Sequence, residues 1–231
     1  MMRRVVVSGL VAVLASVSPA MAQDSVFGVN VGGFLLKGED GRSRDDALSN
    51  NLSFLSFDLA DFNGLVIGGD YLVSIGSFVE AGVGVGFYQR TVPSLYSDFV
   101  DSDGSEIEQD LKLRVIPVTA TVRFFPLTRD AGLQPYVGGG VAFNRWRYSE
   151  TGEFVDFSDG AIFRDNFVDE GTTTAPVFLG GLRFPLGASA LLGGEYRYSR
   201  GKADLDPALG FAGETLDIGG NTFLVTLQFR F

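Results

Sequence analysis

Residues 222–231 read TFLVTLQFRF, and their alternation decides the fold. Phe223, Val225, Leu227, Phe229 and Phe231 fall on one face of an extended chain. Thr222, Thr226, Gln228 and Arg230 fall on the other, with Leu224 the one apolar residue among them. A period of two sustained over this length predicts a strand. Chain ends ordinarily fray into water, so an aromatic, apolar final strand is expected to be held and to bury its greasy face. Hydrocarbon is the simplest host. The simplest architecture is a closed barrel whose last strand pairs with its first, because only helices and closed barrels satisfy every backbone N–H and C=O inside a bilayer.

The other end of the sequence agrees. Arg3 and Arg4 precede an apolar run from Val5 to Val17, then Pro19, then the A-x-A pattern Ala20-Met21-Ala22. Residues 1–22 are expected to be a cleaved signal peptide and residues 23–231 a single β-barrel domain. The apolar run falls short of the roughly 20 residues a spanning helix needs. The chain has no cysteine, so neither a disulfide nor an N-terminal lipid on cysteine is expected.

Working inward, strands are expected at 26–36, 64–73, 78–89, 110–125, 134–148, 174–184, 190–200 and 220–231. The third is the cleanest: Val79, Ala81, Val83, Val85 and Phe87 alternate with Glu80, Gly82, Gly84, Gly86 and Tyr88. In the fourth, the apolar phase slips near Ile116-Pro117, which predicts a bulge. In the fifth the facing is open, and Tyr136, Trp146 and Tyr148 fall where aromatic girdles are expected. Leu55, Phe57 and Leu59 continue the phase of the second strand and point to an earlier start. Connections alternate between tight turns (74–77, 126–132, 185–189) and long segments (37–63, 90–109, 149–173, 201–219). That rhythm predicts an all-β fold: an eight-stranded antiparallel up-and-down transmembrane β-barrel with long acidic extracellular loops. A soluble two-sheet sandwich is the rival, and would release from membranes with salt alone.

The inward faces carry Asp70, Glu80 and Glu195 against Arg123, Arg183, Arg197 and Arg230. Eight strands leave an interior that side chains about fill, and buried charges must pair. An acid–arginine network plugging the lumen is expected, structural rather than a gated ion path. Most of the 28 acidic residues fall in the four long segments, with Asp98, Asp101, Asp103, Glu106 and Glu108 the densest run. These read as a solvated surface. A divalent-cation site is the alternative, and such ions would also bridge the loops to phosphates of surrounding lipopolysaccharide. Apolar residues interrupt the acidic loops, Phe54 and Phe57 in the first and Phe154 and Phe163 in the third. They are expected to pack on one another over the barrel mouth.

No histidine occurs, which removes serine–histidine catalysis and histidine metal sites. No catalytic, cofactor or metal residues are assigned and no cofactor is expected. A net charge of −10 opposes nucleic acid as a partner.

Five stretches carry a resemblance: the signal with Ala20-Met21-Ala22, IPVTATVRFFP at 116–126, LQPYVGGGVAF at 133–143, GGEYRYS at 193–199 and the terminal LQFRF. The chain resembles the small outer-membrane β-barrel family of Gram-negative bacteria, the grouping of the outer membrane protein A transmembrane domain, OmpW-like proteins and opacity-type barrels. The resemblance implies an outer-membrane location, usually as a monomer. It implies that Phe229 and Phe231 form a signal read by the barrel-assembly machinery, although the glycine of that pattern is missing near Thr226. The function it implies is structural or surface-interacting with a largely plugged lumen. A narrow OmpW-like channel for small or apolar molecules is the alternative. The lipid A deacylases and palmitoyltransferases among similar barrels use a histidine that this chain lacks.

Overall fold

The computed structural model describes residues 24–231; the expected signal peptide lies outside the described residues. Eight long strands follow in order: β1 Ser25–Leu36, β2 Gly64–Ile75, β3 Val79–Val100, β4 Glu106–Phe124, β5 Gln134–Val155, β6 Ile162–Leu186, β7 Ala190–Ser199 and β8 Gly220–Arg230. Each pairs antiparallel with the next, and β8 returns to β1 with Arg230 opposite Val26 and Gly220 opposite Leu36. Closure leaves the sheet without open edges. At one rim the turns are tight; Gly76 makes the β2–β3 turn at φ 70°, a conformation that favours glycine.

The outward positions of the lower barrel are apolar and exposed on every strand: Val137 is 60% exposed and Phe223 54%. Against water such a continuous belt would be an unusually large apolar patch; against acyl chains it is the expected surface.

Four strands outgrow the membrane. β3 and β5 have 22 residues each, β4 has 19 and β6 has 25, whereas about 9–11 cross a bilayer. Segments 90–109 and 149–173, expected as loops, are therefore mostly strand: β3 and β4 pair to Leu95 opposite Glu108 and, past a register shift, at Val100 opposite Glu106, and β5 and β6 pair to Val155 opposite Ile162. The pattern hid this because it inverts. Below, apolar residues point outward to lipid. Above, Val92, Ile107, Leu111 and Leu113 point inward and are buried.

The same inversion accounts for the phase slip at Ile116-Pro117. No bulge exists there. Val85 faces Val118 and Tyr88 faces Val115 in one unbroken register, and only the rungs opposite Ile116 and Pro117 drop out, as expected where proline lacks an N–H. The expected girdle on the fifth strand is corrected too. Tyr136, Trp146 and Tyr148 face the interior and are at most 3% exposed, while Val137, Val141 and Phe143 face outward. Nor does the second strand start early: Leu55–Ser56 is a separate short strand on β3, and a 3-10 turn, Leu59–Phe62, intervenes before β2.

The interior of the upper barrel is filled by the chain itself. The first long connection folds into a short helix, Ala47–Asn51, and sends Leu48, Leu55 and Phe62 inward. The fourth, through the small hairpin Lys202–Asp204 with Thr215–Asp217, adds Ala203, Leu205 and Leu216. These pack on Leu111, Leu113 and Trp146 as one buried core. Phe54, Phe99 and Phe157 cluster with Tyr96 above it. The loops' apolar residues thus pack on one another.

Candidate functional site

The lumen is the candidate site, and it has three levels. The lowest is centred on Arg183, wholly buried on β6. Its guanidinium donates to Glu80 through Nη2 (2.6 Å) and Nη1 (3.0 Å), to Gln228 through Nη1 (3.0 Å) and to Gln134 through Nε (2.8 Å). Its remaining face lies 4.4 Å from the Phe125 ring. Arg129 reaches in from the β4–β5 turn to 3.7 Å from Glu80 and donates to Ser74.

Above it, four charges alternate. Arg197 donates to Asp70 (2.9 Å) and to Glu195; Asn30 donates to Asp70 (2.8 Å), and Tyr136 to Glu195 (2.9 Å). Arg123 has Nη2 2.8 Å from Glu195 and 3.8 Å from Asp70, yet none of its nitrogens makes an aligned hydrogen bond. Proximity of charge holds it, with the Tyr136 ring 5.2 Å away. Small residues make room for this layer. A Cβ on Gly84 would lie 2.3 Å from an Asp70 oxygen, and one on Gly181 2.4 Å from the Tyr136 hydroxyl. The Gly82–Gly86 stripe therefore accommodates neighbours on adjoining strands.

Six of the seven predicted charges share this interior: Asp70, Glu80, Arg123, Arg183, Glu195 and Arg197. Arg230 does not join them. It sits at the short-turn rim, 3.9 Å from the exposed Asp130, and donates to the Arg129 carbonyl; strand parity gave its side but not its depth. Sequence reasoning missed Arg129, whose turn has no parity to read. It also missed the partners Gln134, Gln228, Asn30 and Tyr136, although Gln228 stood on the polar face of the last strand.

A chamber of about 80 Å³ separates the charges from the cap. Asn30 and Arg197 form its floor, Val115 is on its wall, and Phe34, Tyr88 and Ile218 close it above. Phe34 and Tyr88 stack edge to face at 4.8 Å, and the Tyr88 hydroxyl donates to the Phe62 carbonyl.

The cap is clasped by Asp46. Its carboxylate accepts from Arg42 Nε (2.6 Å) and Nη2 (2.9 Å), from the Asp217 amide (2.6 Å), and from Ser49 as the helix cap (3.1 Å). One buried carboxylate thus ties the first long connection to the fourth. A second tie joins helix to wall: Glu150 accepts from Asn51 Nδ2 and from the Tyr148 hydroxyl, both at 2.7 Å. Burial raises the Glu150 carboxyl above its ordinary range, against the lowering effect of those two donors. A folded-state pKa above the unfolded one gives stability that is present at pH below the unfolded value and lost as pH rises through the folded value. Hydrogen-exchange protection of the Ala47–Asn51 amides should accordingly fall as pH climbs through that window, and Glu150→Gln should flatten the profile. A flat wild-type profile would contradict the assignment.

The acidic run from Asp98 to Glu108 is spread over strand ends and the 101–105 turn. Among the described residues no group of three or more acidic residues converges as a metal site.

The family described as "Outer membrane protein beta-barrel domain" matches residues 8–231. No curated protein matches significantly. Among solved structures, the outer membrane protein OprG of Pseudomonas aeruginosa superimposes with a TM-score of 0.57 at 12% identity, covering 91% of this chain and 96% of that one. Neisserial surface protein A gives 0.47 at 14% identity over 90% and 97%. The attachment invasion locus protein Ail of Yersinia pestis gives 0.44 at 16% over 91% and 100%. The likeness to OprG supports the fold.

Proposed function

The chain belongs to the outer membrane protein β-barrel domain family, and on that premise we propose that it is a closed barrel of the Gram-negative outer membrane with a structural or surface-interaction role. The observation that carries this reading is double obstruction. Charges with side chains 0–18% exposed fill the lower lumen, and the chain's own connections fill the mouth. Lipopolysaccharide and other outer-membrane lipid surround the belt, with divalent cations bridging lipid phosphates to the acidic connections. Phe229 and Phe231 meet the assembly machinery during insertion, and the folded barrel is a monomer. No catalytic role is proposed for a chain without histidine.

Planar bilayers test the closed lumen: purified protein is expected to give no steady unit conductance. Regular openings would favour the second reading, a narrow channel for small apolar molecules, for which the chamber beneath Tyr88 and Phe34 is the supporting feature.

A further inference from the structure

Just above the apolar belt, on the outer face of the sheet, the chain gathers positive charge. On β4 the outward positions run Val118, Ile116, Arg114, Lys112; on β5 they run Val141, Phe143, Arg145, Arg147. Arg114 and Arg147 are direct cross-strand partners. Like charges so placed are destabilising on their own, and the net charge of the protein is −10, so the arrangement asks for an anion. Lys112, Arg114 and Arg147 line one polar recess of about 310 Å³, with Gln89 and Ser149 adding donors. The nearby carboxylates answer this charge only in part: Glu170 accepts a hydrogen bond from Arg147. Glu170 sits beside the recess, 3.2 Å from Arg147 and 3.8 Å from Arg145. Asp110 lies opposite Thr151 on the neighbouring strand. Among the described residues Lys112 and Arg114 make no ion pair within 4 Å.

We propose that this recess binds the phosphate of a membrane-lipid headgroup. Arg114 and Lys112, with the Arg147 nitrogens that Glu170 does not take, supply charge-assisted donors of the kind phosphate takes. The recess lies on the outward face, with Arg114 two residues above Ile116 and Arg147 four above Phe143, where headgroups meet a barrel whose belt is covered by acyl chains. That position favours a lipid over a soluble anion. The inference goes beyond the closed-barrel reading but rests on its membrane placement.

The test uses the full mature chain in phosphatidylcholine nanodiscs doped with either phosphatidic acid or diacylglycerol, with retained lipid read by native mass spectrometry. Wild type should retain phosphatidic acid about tenfold over diacylglycerol, and K112Q/R114Q/R147Q should lose that preference, since each basic residue near a headgroup adds several-fold. R44Q/R164Q/K202Q removes the same charge elsewhere and should keep it. Equal loss in that control would reduce the effect to net charge and overturn the site. Equal retention of the two lipids by wild type would also overturn it. Displacement by inorganic phosphate as effective as by phosphatidic acid would make the occupant a soluble anion, again against the proposal. If the triple variant does not fold, R114Q alone should lose about threefold, and no loss would count against the site. Failure of the site leaves heat-modifiable gel mobility intact, whereas failure of the barrel reading abolishes it in every variant.

Discussion

Glu80→Leu should lower the unfolding free energy by about 3–5 kcal/mol in a urea titration of the barrel refolded into lipid, because it strands a buried arginine. Arg183 keeps only its neutral partners Gln134 and Gln228 when Glu80 is gone, and Arg129 loses the same carboxylate. The penalty comes mainly from leaving a wholly buried charge unpaired. The ion pair itself, set against its desolvation, contributes little. Glu80→Leu combined with Arg183→Met should therefore recover most of the loss, since two apolar side chains fill the volume and Arg129 keeps Asp24 at 3.5 Å. A double variant as unstable as the single one would mean that packing at these positions, rather than charge, sustains the lower lumen. The single variant is also the one expected to leak in planar bilayers.

Val141→Arg is expected to destabilise the protein by about 2–4 kcal/mol in liposomes, against a near-zero effect for Thr151→Arg on the same outward face of β5. Val141 lies within the belt between Val137 and Phe143; Thr151 lies above it, past Arg145 and Arg147. The contrast arises because an arginine among acyl chains must deform the bilayer or reach its interface, while one level with the headgroups or above them stays in contact with water. Refolding in urea-containing liposomes, followed by the shift of the folded band on an unboiled gel, measures both. Equal effects at the two positions would mean that something other than hydrocarbon covers the belt.

Both predictions use information present in the chain to different degrees. Eight strands, their order and the closure of the last on the first follow from alternation and from the rhythm of short and long connections, because period-two patterning reports directly which side of a strand meets lipid. The sidedness of Asp70, Glu80, Arg123, Arg183, Glu195 and Arg197 follows from the same parity. Partner choice does not. Glu80 and Arg183 are 103 residues apart in sequence, and the strand tilt that brings them together is a property of the closed ring. Depth is equally hidden, as Arg230 illustrates: it has the correct parity and stands at the wrong level.

The upper half of the molecule was legible only in three dimensions. Leu111, Leu113 and Trp146 alternate as strand residues should, but their apolar face looks inward. Nothing local says whether a greasy face seeks acyl chains or a protein core. That choice was made by the first and fourth connections, which fold into the mouth and supply the core, clasped at Asp46. Local sequence therefore determined the strands, their facing in the bilayer and the need for closure, since these depend on neighbours one or two residues away. Tertiary structure alone decided the ion-pair partners, the height of the strands and the cap, since each depends on contacts between segments far apart in the chain.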